Sequence, residues 1–213
     1  MALSKVNYNS LNVTAAASKA LKWNSTPNGF ETGDVGGSLV LLATETASSS
    51  ATITFDSNID STYKEYIFKF FNIHPQTDNK DFGVNFRDGS TAYDATKTTT
   101  YFHSVHDEAD TSTSLAYITG HDEAQTTDPA LLSEGISSDA DHGSSGYVHL
   151  FDPSSTTFVK HFICRSNGTR HGNQTSDVFV AGYCNVTAAI DGVQFKMSSG
   201  NIDDGVIKMY GVS

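Results

Sequence analysis

Tyr63-Lys64-Glu65-Tyr66-Ile67-Phe68-Lys69-Phe70-Phe71-Asn72-Ile73-His74-Pro75 is the stretch whose reading decides the fold. From Tyr66 to Ile73 both sets of alternate residues are largely apolar, with Tyr66, Phe68 and Phe70 on one side and Ile67, Phe71 and Ile73 on the other. A short run rich in aromatic and β-branched residues predicts a strand covered on both faces, and Pro75 ends its hydrogen-bond ladder. This is the expected core strand.

Working outward, the pattern predicts further strands at residues 38–44, 51–55, 82–87, 98–105, 114–119, 147–151, 158–165, 178–185, 193–197 and 206–210. Turn chemistry separates them, as at Ser48-Ser49-Ser50 and Gly89-Ser90-Thr91. In residues 82–87 the apolar Phe82, Val84 and Phe86 share one face, which suits a strand covering the core from one side. About ten short strands with no amphipathic helix between them point to an all-β fold, an antiparallel two-sheet sandwich of jelly-roll-like arrangement. Residues 1–36 show no strong strand and read as an extended N-terminal arm, leaving residues 37–213 for the sandwich. Leu3, Val6, Tyr8, Leu11 and Trp23 are the arm's candidate interaction residues, able to pack on the sandwich or on a neighbouring subunit.

At 213 residues the chain is long enough for one large β domain with a sizeable core. A net charge of -11 with only 13 Lys and Arg argues against a nucleic-acid surface, which needs clustered cations. Met1-Ala2-Leu3-Ser4-Lys5 opens no apolar run of signal-peptide or membrane-span length, so neither export by the general route nor membrane insertion is expected. Two cysteines, Cys164 and Cys184, are too few for a disulfide framework. They read as buried thiols, with a cross-strand bridge left open.

Residues 107–142 hold nine acidic residues and no Lys or Arg, with one weak strand among them. They read as a long acidic insertion presenting a solvated face, or a contact surface for another protein. His106-Asp107-Glu108 and His121-Asp122-Glu123 repeat a triplet, and Asp139-Ala140-Asp141-His142 adds donors. His106, Asp107, His121, Asp122, Asp139 and Asp141 are therefore the candidate metal ligands. Strand neighbours point to opposite faces, so three clusters would have to converge on one ion. Calcium would take the carboxylates and zinc the imidazoles. The expectation is no cofactor, calcium being the ion to test.

No nucleophile elbow, zinc-binding helix or phosphate loop occurs, so no catalytic residue is named and an enzyme is not expected. The C-terminal Gly205-Val206-Ile207-Lys208-Met209-Tyr210-Gly211 resembles the closing strand of a group of bacteriophage virion proteins, often from marine and cyanobacterial phages, of the form Gly-x-Ile-x-x-Tyr-Gly. The likeness extends to residues 36–41, 60–75 and 82–93. It implies a virion structural protein of the tail or a tail appendage, assembled with other virion proteins and as a homo-oligomer, with capsid decoration as the variant within the particle. A carbohydrate-binding module on a host-surface glycan is the reading from another class, with Tyr93, Tyr101 or Tyr117 stacking on sugar rings.

Overall fold

A computed structural model describes residues 19–24, 26, 29–34 and 39–213. The chain divides into two compact units, residues 1–38 and residues 39–213. In the first, β1 (Lys19–Trp23) and β2 (Phe30–Asp34) form a two-stranded antiparallel sheet. Trp23 pairs with Phe30, their rings stacked at 4.4 Å. A hairpin here corrects the expectation of an arm without strands. Leu21, Trp23 and Phe30 are the three large apolar residues of these strands, too few to announce a strand pair, yet parity puts them on one face. Leu3, Val6, Tyr8 and Leu11 lie outside the described residues.

The second unit is all-β. Its strands are β3 (Leu39–Thr46), β4 (Ile53–Phe55), β5 (Glu65–Pro75), β6 (Lys80–Arg87), β7 (Lys97–Asp107), β8 (Thr113–Tyr117), β9 (Ala124–Thr126), β10 (Ala130–Ile136), β11 (Ser144–Phe151), β12 (Lys160–Arg170), β13 (Gln174–Cys184), β14 (Gly192–Met197) and β15 (Ile202–Val212). They make a 13-stranded antiparallel sheet that turns over on itself, nearly barrel-shaped, as a sandwich-like fold. One layer runs β3-β15-β5-β11-β12-β13-β7, with β8 and β9 on β7, and the other runs β10-β6-β14-β4. The layers join where β10 meets β12 at the single pair Ile136 and Arg170.

Aromatic rings fill the space between the layers. Phe70 meets Phe82 at 5.3 Å, Phe162 meets Phe86 at 4.9 Å and Phe68 meets Phe195 at 5.7 Å, each ring fully buried. Each contributes about 1.5–3 kcal/mol through the area it removes from water. Of the core strand's two apolar sides, Tyr66, Phe68 and Phe70 are fully buried, as expected. Its outer side is not fully covered: Ile67 is buried but Phe71 is 43 % exposed, while Ile73 turns inward. A bulge explains the change of phase. Asn72 takes a positive φ of 50°, and the pairing of β5 with β11 slips between Ser144 and Gly146. Only glycine fits at 146, since a Cβ would lie 2.4 Å from the Arg165 carbonyl oxygen.

Residues 107–142 are not one long loop. They contain β8, β9 and β10, and β10 is buried along most of its length. Lys97 anchors the segment, since its buried ammonium donates to the Asp128 carbonyl (2.7 Å) and to Asn85 Oδ1 (2.8 Å).

Both cysteines are free and buried. Cys164 pairs with Val180, whereas Cys184 pairs with Lys160. Four steps of about 3.3 Å along the ladder separate them, roughly twice the Cα distance that a disulfide spans. Burial pushes both thiols up, Cys184 to about 12 despite Lys97 and Lys160 nearby. A thiolate-seeking disulfide reagent is therefore expected to modify neither cysteine in the native protein and both after guanidinium unfolding. Rapid native labelling of either would contradict this placement.

Candidate functional site

The candidate ligands are engaged separately. His106 Nε2 faces Asp110 at 3.1 Å, and Asp107 accepts from the Thr111 and Ser112 amides, each at 2.8 Å. Asp122 accepts from the Tyr117 hydroxyl at 2.5 Å. His142 is 3.8 Å from Asp139 and 3.9 Å from Asp141. Among the described residues, no group of three or more His, Cys, Asp or Glu side chains is placed to hold a metal ion.

His121 instead turns inward to an acid that sequence reasoning left on the solvated face. Glu134, on β10, has a 2 % exposed side chain. Its Oε1 accepts from His103 Nδ1 and from the Ser176 hydroxyl (3.3 Å), with Arg170 Nη1 at 3.4 Å. His121 Nδ1 lies 3.1 Å from Oε2, an ion contact rather than a well-aligned hydrogen bond. Burial pushes the Glu134 carboxyl up, but His121, His103 and Arg170 together outweigh it and hold the group at about 2. The same contact raises His121 above its ordinary value, against the effect of burial. The cluster ties β10 to β7, β12, β13 and the turn before β9, across the fold between layers. Glu, His and Arg in one place have the makings of acid-base chemistry, yet this carboxylate is sealed from solvent and its oxygens are taken up by protein partners.

The accessible feature lies on the outer face of the larger layer. Register sets Tyr117, Phe102, Phe179, Arg165, Tyr147, Lys69 and Lys208 side by side on successive strands from β8 to β15. Phe102 and Phe179 stack at 4.8 Å and 2°, and the Arg165 guanidinium sits 4.7 Å over the Phe179 ring. Asp177 fixes that guanidinium through two contacts, at 3.1 and 2.9 Å. Of the three tyrosines proposed to stack on sugars, Tyr101 is fully buried and faces the core, and Tyr93 lies under Arg87. Tyr117 is 51 % exposed, next to Phe102 in the row.

Three hollows follow this face. One of about 280 Å³ is lined by Phe102, Tyr147, Ile163, Arg165 and Phe179. A second, about 420 Å³, shares Tyr147 and Arg165 with it and adds Ser145, Asn167 and Asp177. The third, about 740 Å³, shares Ser145 and Asn167 and is walled by Asn72, His74, Asp141, His142, Thr169, Asp203 and Asp204. The hollows form one groove, aromatic at one end and polar at the other. At the polar end the β5 bulge leaves Asn72 exposed, its amide donating to Ser145 Oγ at 2.9 Å. His74 Nδ1 donates to the His142 carbonyl (3.0 Å). Ser49 donates to Asp203 and the Gly205 amide to Asp204, each at 2.6 Å. Comparison with known proteins found no matching family, curated relative or solved structure.

Proposed function

We propose that this chain is a structural component of a bacteriophage virion, in the tail or a tail appendage, that acts by assembling with other subunits rather than by turning over a substrate. The observation that carries the reading is the β1–β2 hairpin, a two-stranded sheet of its own among the described residues, with Leu21 43 %, Trp23 61 % and Phe30 38 % exposed on one face. A two-stranded hairpin is marginal in water, and an exposed apolar cluster on such an element gains stability by packing against a neighbour. The closing strand Gly205-Val206-Ile207-Lys208-Met209-Tyr210-Gly211 supports the virion assignment through its likeness to phage proteins.

Trp23 is the single tryptophan of the chain, so fluorescence reports on the hairpin alone. Its emission is expected to move to shorter wavelength as protein concentration rises, in step with an increase in mass by light scattering. Trp23→Ala should hold the protein at the lower mass. An oligomer that forms equally well without Trp23, or particle maps showing the hairpin touching no other chain, would defeat the anchoring role.

A further inference from the structure

The groove on the outer face has no part in that assembly reading, and it stands or falls separately. Along β12 it runs from Ile163 to Thr169, six steps of about 3.3 Å, or roughly 20 Å. That length suits a chain of several linked units rather than one small molecule.

The lining narrows the chemistry. At one end the Phe102–Phe179 stack, with one face of Phe179 against Phe102 and the other under Arg165, stands beside Tyr147 and Ile163, and Phe102 is 40 % exposed, so this end of the groove is an apolar wall. Packing the apolar C–H face of a pyranose against such a wall removes both from water. At the other end Asn167, whose Nδ2 is held by Thr175 (2.9 Å) and the Ser176 carbonyl (3.2 Å), turns its side-chain oxygen to the groove as an acceptor, Thr169 gives a hydroxyl, and Asp203 and Asp204 give further acceptors able to hold neighbouring hydroxyls. Charge within the lining disfavours polyanions, since Arg165 is paired with Asp177, and Asp141, Asp203 and Asp204 leave the polar end negative; Lys69 and Lys208 stand beyond Tyr147, outside the lining. An extended peptide would seek free backbone groups at a sheet edge. The floor of this groove is instead β11, β12 and β13, where β12 is paired on both sides.

We propose that this groove binds a neutral oligosaccharide, with sugar rings on Phe102, Phe179 and Tyr147 and hydroxyls on Asn167, Asp203 and Asp204. The probes are neutral hexasaccharides of glucose, mannose, galactose, xylose and N-acetylglucosamine, titrated calorimetrically into the full chain. At least one is expected to bind with micromolar to low-millimolar Kd. Phe179→Ala should weaken that binding tenfold or more, and Asn167→Ala should weaken it independently, while circular dichroism stays close to wild type and unfolding remains cooperative because both side chains lie on the outer face. Three results would each overturn the proposal: no binding of any neutral hexasaccharide, binding restricted to sulfated or uronic chains or to peptides, or binding indifferent to both substitutions. None of them bears on the Trp23 measurement.

Discussion

Glu134→Ala is expected to cost about 3–5 kcal/mol of unfolding free energy in urea at pH 6, the range for removing one member of a buried, hydrogen-bonded charge cluster. The side chain is 2 % exposed, so solvent does not screen its contacts with His103, His121 and Arg170. Glu134→Gln keeps the shape and serves as the better probe of charge. The carboxyl is held at about 2 in the folded chain against an ordinary 4.5, so its stabilisation is present above 4.5 and fades as pH falls through 2. His121 is shifted the other way, above its ordinary 6.5. Its contribution is complete below 6.5 and is lost as pH rises through the raised folded value. Wild-type stability should therefore decline above about pH 6.5, and Glu134→Gln should flatten that limb. The alkaline limb discriminates, because Asp60, Asp78 and Asp107, also more acidic than usual, titrate on the acid side. A variant that tracks wild type in parallel from pH 5 to 9 would falsify the coupling of Glu134 to His121.

Why this cluster escaped the sequence reading is physical. Glu134 stands in Leu131-Leu132-Ser133-Glu134-Gly135-Ile136, within an interval whose other acids are mostly exposed, and one charged letter looks the same on a surface as in a core. What buries it are partners brought together by the folded sheet from β7, β12 and β13. The core strand shows the opposite case. Alternation alone puts Tyr66, Phe68 and Phe70 on one side together, and all three are buried in the core. Phe71 and Ile73 break that rule through the bulge at Asn72, which depends on how β11 registers with β5. The groove was hidden for a related reason. Tyr101 and Phe102 are adjacent and both aromatic, so alternation says that they face opposite ways without saying which faces out. The tyrosine, with its polar hydroxyl, is the one buried, and the phenylalanine is the one in the outer row.

Phe195→Ala is expected to lower stability by about 3–5 kcal/mol, the loss typical of removing a fully buried ring and leaving a cavity. Phe195 sits on β14, which holds both β4 and β6, and its ring is within 6.2 Å of Phe55 and 5.7 Å of Phe68 and Phe82. Phe68 belongs to the other layer, so the ring is a direct bridge between the two. Its neighbours are themselves rings locked by close packing and cannot collapse far into the space, which places the cost toward the upper end of the range. Phe179→Ala provides the comparison, since it deletes the same ring from the outer face. There the loss is confined to the stack on Phe102 and the Arg165 contact, about 1 kcal/mol. Urea midpoints at constant m value measure both, and Phe195→Leu, which leaves a smaller void, keeps the test open if the alanine variant does not fold. Equal losses at the two positions would mean that the layers are not held together through the Phe68–Phe195 contact.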